Sequence, residues 1–293
     1  MPLFRRPDGI LIRDLSPVRR LIPYLMRRRN ESIVYYEQVL DLSRTLEFVR
    51  EWNERHEKKI SPFQIIIAAC GKALHARSGL NRFVSGGRIY ERRGVFISFA
   101  AKKAFTDEAP LVTVKLEMFE DEPLEQTVRR IQEAVSGARN GAERAVDREV
   151  RLVAGLPGFV IRLAVSLVRF LDRFNLLPGF MIRDDPMYAS LFLANLGSVG
   201  IDRAWHHLYE YGTVSLFGVV GVIGKRPLPG SGGALELRDC VRMRFAFDER
   251  INDGFYCARS LDLMREYVED PRLFESRPRP PRERLEKARP SAL

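Results

Sequence analysis

Apolar positions along the chain follow two periods. Over about 123–139, Leu124, Val128, Ile131 and Val135 keep the spacing of one helical face. Leu46, Val49 and Trp52 do the same in a helix that runs to about Arg55, with Asp41 or Ser43 as its cap. Ser61-Pro62 opens a further helix that runs to about Arg77, since proline suits the first turn. Its Ile65–Ala69 run has no polar face, which predicts deep burial. Leu21, Ile22, Leu25 and Met26 mark a helix over Ser16–Arg29 that Pro23 kinks or shortens. A last helix covers about Gly254 to Val268.

The strand signals are Ser32–Leu40, Val95–Ala101, Pro110–Leu116, Met187–Ala194, Val214–Ile223 and Ala234–Phe247. The last alternates at Leu235, Leu237, Val241, Met243, Phe245 and Phe247, the pattern of a strand with one wet face. Helices and strands do not alternate as in a doubly wound sheet, so the expected class is α+β. No internal repeat is visible, and a Pro/Arg-rich tail follows Phe274.

Composition narrows this picture. The chain has 293 residues, 45% of them hydrophobic, which suffices for a sizeable core. The net charge is +10, and it is localised: residues 1–30 carry +6, the segment 275–293 carries +3 and the segment 141–185 carries +1, which leaves the rest neutral. Basic ends suit anionic lipid or another partner, or simply a solvated surface. Nucleic acid is not expected, because no reading motif accompanies the charge. Three cysteines form no disulfide framework, so a reducing cytoplasm is expected. Four histidines with no HExxH, and no CxxC, give no metal site. Cys70 and Cys257 fall among apolar neighbours and read as buried thiols; a nucleophilic Cys257 is the competing reading. His206-His207 reads as a surface pair without a third ligand.

The stretch FDERINDGFYCARSLDLMREYVEDPRLF resembles the C-terminal signature of the 2-oxoacid dehydrogenase acyltransferase catalytic domains. Asp248, Arg250, Asp253, Gly254, Asp270 and Pro271 match it. Upstream, LFLANLGSVGID resembles the family's Ser-Asn-Leu-Gly strand end at Asn195, Leu196, Gly197 and Gly200. The likeness extends over about residues 15–274. It implies a chloramphenicol-acetyltransferase-like, two-layer sheet-and-helix domain over 1–274 that trimerises, with sites in channels between subunits. It also implies acyl transfer with coenzyme A or acyl-CoA as cofactor. In that chemistry a His takes the thiol proton, a Ser hydroxyl donates to the oxyanion and the Asp of Asp-Gly holds the site together. No lipoyl domain is recognised, so no covalent lipoyl group is expected.

The chain departs from the pattern at the chemistry. Glu249 stands at the His position and Ala194 at the Ser position. Glu249, Asp253 and Asn195 are therefore the candidate catalytic residues, with a catalytically silent trimeric scaffold as the alternative. Arg242 and Arg244 on the last strand are candidates for coenzyme A phosphates, or else face water or pair with acids.

Where the family has a short loop, this chain has an insertion at 141–185. Gly158 to Phe174 is free of proline, and Arg162, Ser166, Arg169 and Arg173 form one narrow polar stripe on an otherwise apolar helix, Asp172 excepted. Seventeen residues span about 25 Å, too short and too charged to cross a bilayer. Such a helix suits a peripheral position on an anionic membrane surface, with Arg162, Arg169 and Arg173 as contacts. It can equally cover its own trimer, wall an acyl channel or dock a protein partner.

Overall fold

A computed structural model of the chain describes residues 5–102, 111–139, 155–230 and 232–276. The first part of the insertion and most of the Pro/Arg-rich tail lie outside them. A three-residue strand, β1 (Gly9–Leu11), precedes helix α1 (Pro17–Leu25). Then come β2 (Ile33–Asp41), α2 (Ser43–Arg55) and α3 (Pro62–Ala76). A hairpin of β3 (Arg82–Ser85) and β4 (Arg88–Arg92) leads to β5 (Val95–Lys102), β6 (Leu111–Met118) and α4 (Leu124–Arg139). The insertion supplies α5 (Gly158–Arg173) and the short α6 (Gly179–Arg183). The chain closes with β7 (Leu191–Asn195), β8 (Leu216–Val220), β9 (Gly224–Pro229), β10 (Leu235–Asp248) and α7 (Gly254–Glu269).

Seven strands form one mixed sheet in the order β2-β10-β8-β7-β5-β6, with β9 on the outer half of β10. Only β7 is parallel to its neighbours. The main core lies between one sheet face and the helices, and α3 runs through it: Ile65, Ile66 and Ile67 are fully buried. The start of α3 follows from its sequence. Ser61 and Gln64 form a reciprocal capping box that satisfies the first free amide groups, with Pro62 at the first turn.

Three expectations are corrected. α1 ends at Leu25 rather than Arg29, because Pro23 sits inside it and the chain turns at Met26 toward a 3-10 turn at Asn30–Ser32. From Cys240 onward β10 is not wet on one face. Its second face is covered by the 196–214 segment, where Ala194, Leu208, Val214, Phe217 and Ala246 form a second cluster. Only the half beside β9 is exposed, at Leu235 and Leu237. Finally, a separate three-stranded sheet, β1-β4-β3, was not anticipated.

That small sheet fastens the insertion. Arg6, nearly fully buried, pairs with Asp8 at 2.6 Å and with Asp172 of α5 at 2.8 Å. Burial alone would lower the pKa of Arg6, but the charges of Asp8 and Asp172 overcome it and raise it. The Ser85 hydroxyl donates to Asp172 at 3.0 Å, and Arg92 reaches Asp8 at 3.3 Å. Asp172, the one acid on the apolar helix, is therefore its anchor. Val168 and Leu171 add apolar contact to Leu177, Ile182 and Tyr188. At the end of α6, the Lys115 ammonium donates to the carbonyls of Ile182 and Asp185; burial pulls its pKa down to about 8.

The β3–β4 turn is Gly86-Gly87, both at positive φ, and α5 closes directly onto it. A Cβ on Gly86 would come within 2.4 Å of the Arg173 carbonyl oxygen, and one on Gly87 within 3.0 Å of the Tyr24 ring. Gly86→Ala is expected to cost more than about 1 kcal/mol, read from the urea midpoint. An unchanged midpoint would contradict this seating of the insertion.

Candidate functional site

The site is framed by a buried ion pair. Asp248, the last residue of β10, is fully buried. Arg250 grips it with both arms, Nε to Oδ1 at 2.8 Å and Nη2 to Oδ2 at 2.7 Å. The Ser32 hydroxyl donates to Oδ1 at 3.0 Å. The remaining nitrogen of Arg250 donates to the carbonyls of Met26 and Arg27. Arg29 approaches the same carboxylate at 4.0 Å and donates to the Tyr209 and Gly212 carbonyls; burial lowers its pKa. One carboxylate thus ties together the segment after α1, the start of β2, the 209–212 loop and the end of β10.

Between these two locked residues stands Glu249. Its backbone is held on both sides: its amide donates to the Ser32 carbonyl at 2.9 Å, and its own carbonyl accepts from Arg19 at 3.0 Å. Its side chain is half-buried, and no hydrogen bond or ion pair to it occurs among the described residues. Asp253 lies on the same turn. It caps α7 by accepting from the Tyr256 amide at 2.8 Å, and Arg19 reaches its other oxygen at 3.5 Å. Arg19 therefore bridges the Glu249 backbone and the Asp253 carboxylate.

Asn195 is elsewhere. It ends β7, where its side-chain oxygen accepts from the Ser198 amide at 3.2 Å. Ala194 is buried in the apolar cluster beneath the 196–214 segment. The ladder sets Asn195 level with Val220, and Val220 level with Met243. Glu249 lies six residues further along the direction of β10, about 20 Å away. Within one chain, Glu249 and Asp253 are brought together, but neither meets Asn195.

Arg242 and Arg244 lie near the Asn195 end. Arg242 pairs with Glu37 at 3.0 Å and Asp202 at 3.2 Å. Arg244 pairs with Glu37 at 2.6 Å and stands over the Trp205 ring at 5.0 Å. Asp202 also takes Arg226 at 2.9 Å. Burial pushes the pKa of Asp202 up, but the hydrogen bond and charge of Arg226, then Arg242, outweigh this and hold it low. Both candidate phosphate-binding arginines are thus met by carboxylates within the chain, and a phosphate would have to displace Glu37 or Asp202. Neither acid was singled out from the sequence. Glu37 sits opposite Arg244 in the β2–β10 register, but a separation of about 200 residues hides that register.

Arg162, Arg169 and Arg173 are exposed along α5. Cys257 is buried, and burial pushes its thiol up to about 12, so no thiolate is available near neutral pH. His206 stacks on Phe217 at 3.8 Å and is half-buried, with its pKa lowered by burial. No cluster suited to a metal occurs among the described residues.

No family model and no curated protein sequence matches the chain. Solved structures do. A dihydrolipoamide acetyltransferase of Azotobacter vinelandii, probed for the catalytic role of a serine, a histidine and an asparagine, matches with a TM-score of 0.58 at 16% identity, over 87% of this chain and 91% of that one. The cubic core of a pyruvate dehydrogenase multienzyme complex matches at 0.58 and 15%, over 93% and 94%. A chloramphenicol acetyltransferase matches at 0.50 and 10%, over 89% and 98%. The chain therefore has the mixed α+β chloramphenicol-acetyltransferase-like fold, shared with 2-oxoacid dehydrogenase acyltransferase cores.

Two predictions follow from these ion pairs. Arg250→Met leaves the Asp248 carboxylate buried without its main partner and is expected to cost about 3–5 kcal/mol in urea unfolding. Asp202 has a folded pKa below its unfolded value, so its contribution is present above about pH 4 and is lost as pH falls below that. Asp202→Asn should therefore flatten the acid limb of stability below about pH 4, while a limb as steep as the wild type's would assign the loss to other groups.

Proposed function

We propose that the chain is an acyltransferase acting on a coenzyme A thioester, with Glu249 as general base and Asp253 as the residue that fixes its turn. The observation that carries this reading is the half-buried Glu249 carboxylate, without a partner among the described residues, between two residues locked in place. In the Azotobacter enzyme the histidine and the asparagine are four positions apart, as Glu249 and Asp253 are here.

The chemistry balances without a further group. The acceptor's hydroxyl, amine or thiol loses its proton to the Glu249 carboxylate as it attacks the thioester carbonyl. The tetrahedral oxyanion then collapses, the C–S bond breaks, and the departing thiolate recovers the proton from Glu249. An ordinary Glu at about 4.3 is a weak base toward a thiol at about 8.5, a gap that costs about 5–6 kcal/mol. A slow enzyme, or one with an amine acceptor that attacks neutral and sheds its proton only from the tetrahedral adduct, fits this base better than thiol exchange does.

The separation of Glu249 from Asn195 by about 20 Å supports a site shared between copies, in a trimer, with Asn195 supplied by a neighbour. A second reading, a catalytically silent scaffold, is favoured by Ala194: its methyl group cannot donate to an oxyanion, and losing one such donor costs about 100–1,000-fold.

The test is release of free thiol from short- and long-chain acyl-CoA donors with thiol, hydroxyl and amine acceptors, on material sized by light scattering. Turnover that falls about 100-fold or more in Glu249→Gln, with melting unchanged, is expected of the base. No turnover with any pair favours the scaffold, and a monomer contradicts the shared site.

A further inference from the structure

Helix α5 is docked along one side and bare along another. No residue of it is fully buried, and Phe159 is 75% exposed, Leu163 69%, Leu167 55% and Phe170 55%. At 100° per residue these four share one face, and Arg162, Ser166, Arg169 and Arg173 border it on one side. Val160, Ala164, Val168 and Leu171, on the other side of the apolar face, are half-buried, and Val168 and Leu171 pack against the body.

Helix α1 repeats the design. Leu21, Tyr24 and Leu25 are exposed, with Arg20, Arg27 and Arg28 beside or just beyond them. The two helices meet over the Gly86-Gly87 turn, where Tyr24 and the Arg173 carbonyl are the nearest neighbours of the two glycines. Between them lies a cleft of about 1270 Å³ with six arginines and three acids in its wall. All three acids are already engaged: Asp172 by Arg6, Glu210 by the amides of Arg29 and Asn30, and Glu31 by the Arg28 amide. Arg27, Arg28, Arg162, Arg169 and Arg173 have no carboxylate partner among the described residues.

We propose that α1 and α5 together form a docking platform for an anionic lipid bilayer. The exposed Phe and Leu side chains enter the interface, and the unpaired arginines of the rim and cleft engage lipid phosphates. Charge decides the occupant. A second copy seated on this face would bring these arginines against their own kind, and the described acids of the cleft wall are already engaged. A bilayer offers both partners at once, apolar depth and a negative surface. The platform does not span: among the described residues no helix is long and apolar enough to cross a membrane. The proposal is independent of the reading of Glu249.

The test is co-sedimentation of the full chain with vesicles of phosphatidylcholine containing phosphatidylglycerol, and with pure phosphatidylcholine. Binding is expected to the first only and to weaken with salt. The triple variant Phe159→Ser, Leu163→Ser, Phe170→Ser is expected to lose binding by more than tenfold with unchanged melting. Each of Arg27→Gln, Arg28→Gln, Arg169→Gln and Arg173→Gln is expected to lower it about fivefold. These arginines make no ion pair among the described residues, so their loss leaves the described fold intact and keeps the test clean. Absence of wild-type binding to anionic vesicles, or equal binding by the variants, overturns the proposal. So does a triple variant whose oligomer dissociates while its lipid binding is unchanged, which would assign the face to another subunit.

Discussion

A carboxylate sealed from water must find its partners inside the protein, and Asp248 finds them in segments far apart in the sequence. Arg250 lies two residues away, but Ser32 and Arg29 belong to the other end of the chain, as do the Met26 and Arg27 carbonyls that accept from Arg250. The pair adds little stability of its own, because desolvation offsets most of the attraction. What it imposes is position. The N-terminal segment cannot leave β10 without stranding a buried charge, so α1 is held beside the turn and Arg19 stays in reach of Glu249 and Asp253. The platform proposed for lipid depends on the same anchor, since α1 is one half of it.

The second polar node works alike. Arg6, Asp8, Arg92 and Asp172 join the small sheet to the insertion, and Phe83 lies under both arginines at 4.8 and 4.5 Å. A helix with so much apolar surface would otherwise have many ways to lie on the body. One acid, placed where the pattern called for an apolar or basic residue, selects one of them and turns a chosen face outward.

Much of this was legible in the sequence where the signal was local. The Ser61-Pro62 helix start, the helical spacing from Leu124 and the Gly158 start of α5 each need only a few neighbouring residues, and each sits within a residue or two of its expected place. The Glu-x-x-x-Asp-Gly junction at 249–254 was likewise readable, and it carries the two candidate residues that the fold does bring together. The small sheet escaped because its strands are short and arginine-rich, with Phe83, Ile89 and Tyr90 scattered among charges; the Gly86-Gly87 pair was its one hairpin signal. The wet face assigned to β10 failed for a related reason. Alternation of Arg242 and Arg244 with apolar residues reads as solvent exposure until Glu37 and Asp202, distant in sequence, are known to face them.

The backbone of residue 249 is fixed by Ser32 and Arg19, and its flanks by the Asp248–Arg250 pair, yet none of these contacts involves its side chain. The frame is thus indifferent to what stands there. A histidine, a glutamate or a neutral residue would be presented at the same place at nearly the same cost in folding. A protein built this way can change its chemistry in one mutational step, or abandon it, without first having to rebuild the scaffold. A substitution there changes the group that is presented while the scaffold around it stays in place.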